Sequence, residues 1–240
     1  MLPRFFCPEL APAGEEMALP EAVAHHADRV LRLRPGQEVS LFDGEGREAR
    51  AELLAFGRAP RARIADLAEV DREPPIRITL VQALATGDKM DWIVQKAVEL
   101  GVASLQPLSA ERSVLRLDGE RAAKRVEHWR QVAVSAAEQC GRNRLMKIEP
   151  ILGLPQWLSA SAGTTRWTLD PEAGVRLSTR SAPQAPVALL IGPEGGWSER
   201  ELAALHAAGC AGLSLGPRVL RTETAGLAAM AAMLALWGDL

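Results

Sequence analysis

Two glycine-containing loops late in the chain carry the residue types best suited to chemistry. The first is Leu190-Ile191-Gly192-Pro193-Glu194-Gly195-Gly196-Trp197-Ser198. About twenty residues later comes Leu215-Gly216-Pro217-Arg218-Val219-Leu220-Arg221-Thr222-Glu223-Thr224-Ala225. Each reads as an apolar strand, then a glycine loop, then a helix start. Glycine lets main chain approach a ligand, and the helix N-terminus that follows presents free N–H donors. Two such loops in one open sheet would hold a small polar ligand by backbone groups. Ser198-Glu199-Arg200-Glu201 has the spacing of a capping box, which would fix the helix start and place the preceding Gly-Gly. The first loop lacks the G-x-G-x-x-G of dinucleotide folds and the Gly-Lys-Ser/Thr of a P-loop, so those nucleotide signatures are absent. No histidine lies near either loop: His25, His26, His128 and His206 are elsewhere, and a histidine base is unsupported.

The elements that must position these loops follow from periodicity. Residues 1–72 read mainly as β: a strand at 4–7, a helix over 21–33, and a hairpin of 37–42 and 47–54 around Asp43-Gly44-Glu45-Gly46. One more strand spans 62–70, which together suggests a small barrel-like module. Arg72-Glu73-Pro74-Pro75 is the boundary, because two prolines remove backbone donors and force an extended connection. From 73 to 240 strands and helices alternate. Strands are expected at 76–84, 104–108, 166–169, 187–191 and 212–215, and 147–151 is short and extended. Helices are expected at 88–100, 120–140, 154–159, 198–208 and 222–237. The alternation argues for an α/β domain with a parallel sheet and ligands at its C-terminal strand ends.

Bulk numbers are those of an ordinary soluble protein: 240 residues, 48% hydrophobic, 24% charged and a net charge of −2. The charge is unevenly spread. Residues 1–72 hold 10 basic and 13 acidic side chains, whereas residues 77–147 hold 12 basic and 8 acidic, so a polyanion could bind the middle third. Solvated helix faces would produce the same count. Cys7, Cys140 and Cys210 form no C-x-x-C pair, which argues against a zinc site or disulfide framework and fits a reducing cytoplasm. There is no signal-peptide pattern, and the apolar run 225–237 is too short and alanine-rich to span a bilayer.

Together the two loops resemble the cofactor-binding segments of the SPOUT methyltransferases. The segments Asp88–Val102, Glu111-Arg112-Ser113-Val114, Ala137–Asn143 and Arg4-Phe5-Phe6 resemble one subfamily, the RsmE family. These ordered motifs cover nearly the whole chain. The resemblance implies a C-terminal SPOUT-type parallel sheet with a deep trefoil knot over 73–240. It also implies a PUA-like RNA-binding domain over 1–72, and a homodimer in which knot helices pack between subunits. It implies methylation of uridine N3 in 16S ribosomal RNA, free or within the 30S subunit, from S-adenosylmethionine, without a metal or a membrane.

On this resemblance Leu169, Ile191, Gly192, Pro193, Glu194, Gly195, Gly196, Leu215, Gly216 and Leu220 would hold the cofactor. The uridine imide must lose its proton and its base must be unpaired or flipped. A cation near the uracil oxygens would stabilise the anion as it forms, and Arg221, directly after the second loop, is the candidate, with Arg218 second. Glu223 could accept a proton, or could simply meet the helix dipole. Arg4, Lys89, Lys96, Arg112 and Arg142, with Arg116 and Arg144, are candidates for RNA phosphates. Lys96 could equally pair with Glu99, and Arg142 with Glu138, as neighbours on one helix. A knotted enzyme with another RNA target, and a non-catalytic assembly factor, are the alternatives.

Overall fold

A computed structural model describes residues 2–57, 59–161 and 163–240. The chain divides into two units, one of Met1–Glu73 with Ala137–Leu145 and one of Pro74–Ala136 with Met146–Leu240.

In the first unit, β1 (Arg4–Phe6) and β2 (Glu16–Ala18) precede α1 (Glu21–His25), followed by β3 (Glu38–Phe42), β4 (Arg47–Ala55) and β5 (Arg61–Glu69). They form one sheet in the order β1-β3-β4-β5-β2, parallel only between β1 and β3. The alternation in β4 and β5 turns Ala49, Ala51, Leu53, Ala62 and Ile64 inward, onto Phe5, Val39, Leu41, Val23 and Ala27. The expected hairpin turn is held by one carboxylate. Asp43 Oδ1 accepts from the Glu45 and Arg47 amides at 2.8 and 3.0 Å. The helix expected over 21–33 is α-helical only to His25 and widens into a π-turn over His26–Val30. Strand β2 was not foreseen, since three residues are too few to show a period.

The second unit alternates as expected: β6 (Ile78–Ala83), α2 (Lys89–Glu99), β7 (Ser104–Ser109), α3 (Gly119–Cys140), β8 (Lys147–Ile148), β9 (Leu152–Gly153), α4 (Leu154–Ala160), β10 (Thr165–Leu169), β11 (Val187–Ile191), α5 (Glu199–Ala207), β12 (Ala211–Leu213) and α6 (Thr222–Trp237). The last turn of α3 belongs to the first unit. Of the extended segment expected over 147–151 only Lys147–Ile148 forms a strand, and a second short strand follows at Leu152–Gly153. The sheet runs β12-β10-β11-β6-β7-β8, with β9 also on β7, and every pairing is parallel. Strand β11 is buried throughout, as a central parallel strand must be. One face of the sheet packs Val81, Ala83, Ala188 and Leu190 against Trp157, Trp197 and Leu205. On the other face α6 comes so close that a Cβ on Gly226 would lie 3.2 Å from both Leu80 Cδ1 and Ile191 Cγ1. From β6 the chain winds first towards β7 and later returns on the far side through β10 and β11. That reversal leaves a crevice at the carboxyl ends of the central strands.

Candidate active site

The crevice holds a cavity of about 560 Å³, in the range of small-molecule sites. Its wall includes Leu169, Ile191, Gly192, Pro193, Glu194, Gly196, Leu215, Gly216 and Leu220. Both glycine loops therefore face one space. Gly195 is not on that wall. A Cβ there would meet Arg112 Cβ at 3.2 Å, so this glycine makes room for an arginine.

Local and long-range bonds place the first loop. The capping box closes, with Glu201 N–H donating to Ser198 Oγ (3.1 Å) and Ser198 N–H to Glu201 Oε2 (2.9 Å). Buried Glu201 also accepts from the Glu111 amide at 2.8 Å. Gly196 has φ +69, a conformation that favours glycine. Trp197 Nε1 donates to Thr168 Oγ1 at 3.1 Å, which pins the end of the loop to β10. Thr222, first residue of α6, donates its hydroxyl to the Gly192 carbonyl (2.7 Å) and accepts from Gln82 Nε2 (2.9 Å). This buried relay joins β6, the first loop and α6. Sequence reasoning missed Gln82, Thr168 and Thr222; the only local signal was a hydroxyl residue at the foot of α6. Asp170, Trp197 and Val219 also line the cavity and were not foreseen.

The charged groups divide into free and engaged. Arg218 and Arg221 line the cavity and are exposed; among the described residues neither guanidinium has a hydrogen-bond or ion-pair partner. Lys89, expected to meet RNA, lies on the cavity wall with Nζ 3.2 Å from Glu194 Oε1 and 3.4 Å from Glu223 Oε2. Glu223, expected as a proton acceptor, is thus engaged by an ammonium. Burial opposes the charge on Glu194. Hydrogen bonds from the Thr86 amide and hydroxyl and from Lys89 outweigh it, so its carboxyl titrates below the ordinary range. The hydrogen bond to Glu194 raises Lys89 in turn.

Arg4, Lys96, Arg112, Arg116 and Arg142 among the other phosphate candidates are also occupied. Arg4 is buried in the first unit, with Nη1 3.0 Å from Glu48 Oε2 and Nη2 donating to Asn143 Oδ1 at 2.7 Å. Arg142 is buried too, its Nε donating to Glu73 Oε1 at 2.8 Å. The strand-edge arginine and the arginine after α3, both expected to meet RNA, each pair with a partly buried carboxylate. Glu138, expected beside Arg142, accepts the Phe6 amide at 3.0 Å. Arg112 donates from Nη1 to the carbonyls of Gly195 and Trp197, each at 3.2 Å, and so braces the first loop. Arg116 donates to the Ala110 carbonyl at 2.8 Å. Lys96 pairs with Glu99 at 2.8 Å and lies 4.8 Å from the Trp92 ring centroid.

Among the described residues no group of three His, Cys, Asp or Glu side chains could hold a metal ion, and no helix is long and apolar enough to cross a membrane.

Comparison with known proteins agrees with this fold. Residues 72–234 match the family model of the RNA methyltransferase domain, and residues 19–58 that of the RNA methyltransferase PUA domain. A ribosomal RNA small subunit methyltransferase E from Mycobacterium bovis is 36% identical, over 95% of this chain and 90% of the relative. The crystal structure of a ribosomal RNA small subunit methyltransferase E from Neisseria gonorrhoeae, bound to S-adenosyl methionine, superposes with TM-score 0.95 at 41% identity, covering 100% of this chain and 99% of that one. A Legionella pneumophila protein described as a methyltransferase, also with bound SAM, gives 0.96 at 35% identity over 100% of both chains. The chain belongs to the RNA methyltransferase domain family and, within it, to the ribosomal RNA small subunit methyltransferase E proteins.

Proposed function

We propose that this protein transfers the methyl group of S-adenosylmethionine to N3 of a uridine in 16S ribosomal RNA. The observation that carries the reading is the cavity into which both glycine loops open. Its walls suit that donor: apolar Leu169, Ile191, Leu215 and Leu220 for an adenine, and main chain around Gly192 and Gly216 for polar edges. When bound, the donor supplies an activated methyl group. The remaining work falls to the chain's own residues.

That work is positioning and charge stabilisation. Aligning acceptor nitrogen and methyl carbon is worth several orders of magnitude in rate. N3 is paired in a duplex, so the base must be unpaired or swung out before it reaches the cavity. Unpartnered Arg221 then stabilises the charge that builds on a uracil carbonyl oxygen as N3 gives up its proton to solvent, with Arg218 on the same cavity wall. The domain assignment that accompanies this reading is a PUA-like RNA-binding domain over 1–72 and a knotted methyltransferase domain over 73–240. Helix α6 supports a homodimer. It is apolar on nearly every side, and Leu236 on it and Trp92 on neighbouring α2 stand 46% and 52% exposed. A ribosomal RNA substrate supports a cytoplasmic location.

The test is methyl transfer from labelled donor to purified 30S subunits, followed by nucleoside identification. Labelled 3-methyluridine is the expected product. Label in a ribose or in guanine would overturn the choice of target, and no label in any nucleoside would overturn the reading. Light scattering on the purified protein tests the dimer; a monomeric mass would remove it.

A further inference from the structure

We infer that Lys89 is a positioning residue, a latch that locks the two cofactor loops onto the start of α2; the inference rests on the functional reading above. Three separate segments meet at its ammonium. Lys89 opens α2, Glu194 belongs to the loop after β11, and Glu223 lies in the first turn of α6. Its Nζ lies 3.2 Å from Glu194 Oε1 and 3.4 Å from Glu223 Oε2. The same Glu194 oxygen accepts the Thr86 amide and hydroxyl, at 3.1 Å each, from the turn between β6 and α2. All three charged side chains are mostly shielded, at 29%, 26% and 18% exposure, and all three line the cavity.

The arrangement suits lysine chemically. A compact ammonium with three donors can bridge carboxylates approaching from different directions, whereas a guanidinium fork matches one carboxylate side by side. Take the ammonium away and two carboxylates face each other on the cavity wall, where reduced solvent strengthens their repulsion. The loop after β11 and the foot of α6 would then separate, although the buried Gln82–Thr222–Gly192 contact still ties them deeper down. The latch therefore sets the spacing of the loop after β11 and the foot of α6 rather than the fold. It also accounts for an ammonium in a place where a phosphate contact would need it free.

The experiment is calorimetric titration of S-adenosylmethionine into the full-length protein and into Lys89→Met, Lys89→Arg, Glu223→Gln and the Lys89→Met/Glu223→Gln double variant. Donor KM and kcat on 30S subunits, and the salt dependence of RNA binding, are measured alongside. Lys89→Met should weaken donor affinity about tenfold. Lys89→Arg should recover part of the loss, and the double variant most of it, because one of the two opposed charges is gone. Donor KM should rise with kcat little changed, and the RNA salt slope should stay the same. Wild-type affinity in Lys89→Met, or no rescue by Glu223→Gln, overturns the latch. A salt slope lower by about one charge overturns it too and makes Lys89 a phosphate contact. If Lys89→Met does not fold, the latch is overturned as well, since the side chain is then needed for the fold itself. Failure of the wild-type protein to bind the donor would instead strike the functional reading.

Discussion

Replacing Thr222 by valine isolates the hydrogen bonds that join the first loop to α6. The side chains are nearly the same shape, so the change removes one hydroxyl and little else. That hydroxyl donates to the Gly192 carbonyl at 2.7 Å and accepts from Gln82 Nε2 at 2.9 Å. Thr222 and Gln82 are 6% and 1% exposed, so water does not replace the lost partner. Gln82 Nε2 keeps its bond to the Ala83 carbonyl (3.0 Å), which softens one half of the loss. A buried group left without a partner costs about 1–3 kcal/mol, so we expect about 2–3 kcal/mol in all. At about 2–4 °C per kcal/mol for a chain of this size, the melting midpoint should fall by roughly 5–10 °C. Urea denaturation followed by tryptophan fluorescence measures the first quantity and differential scanning fluorimetry the second. Thr222→Ser keeps the hydroxyl and should lose only about 1 kcal/mol, for the buried methyl. Thr222→Val within about 0.5 kcal/mol of wild type, or Thr222→Ser as damaging as valine, would refute the reasoning.

Other substitutions separate the remaining roles. Arg221→Ala should lower kcat by roughly 10²–10³ while donor affinity in calorimetry changes little; equal losses in both would make it a binding residue. Arg112→Ala should weaken donor binding about fivefold, because two loop carbonyls lose their brace. The salt slope of RNA binding should not move, and a flatter slope would return Arg112 to the RNA surface. In the first unit Glu48 offers a pH test. Burial opposes its charge, but hydrogen bonds from Arg72 and Asn143 and the charge of Arg4 outweigh it and hold its pKa at about 2, below the ordinary 4.5. A depressed folded-state pKa contributes stability above the unfolded value and loses it as pH falls from about 4.5 towards 2. Acid unfolding should therefore steepen in that window, and Glu48→Gln should flatten it; identical acid curves would deny Glu48 the role.

Much of the architecture could be read from the chain because its causes are local. Apolar runs such as Val187–Ile191, the capping box of Ser198 and Glu201, and the break at Pro74-Pro75 act within a few residues of themselves. They predict the alternating elements and the parallel sheet without knowledge of distant partners. The two glycine loops were legible for the same reason, each being a turn that joins a strand to a helix.

Which side chains meet across the chain was a different matter. Lys89 and Glu194 are 105 positions apart, Gln82 and Thr222 140, and Arg4 and Asn143 139. A basic residue in isolation looks the same whether it will face a phosphate or an interior carboxylate. So Arg4, Lys89, Arg112 and Arg142 could be recognised only as charges. For Lys89 and Gln82 the order β12-β10-β11-β6-β7 decides the outcome, because it sets segments far apart in sequence side by side at the carboxyl ends of β6 and β11. Short-range preference chose the elements, whereas the pairing of buried charges and hydroxyls was chosen by the cost of leaving any of them alone once the sheet had assembled.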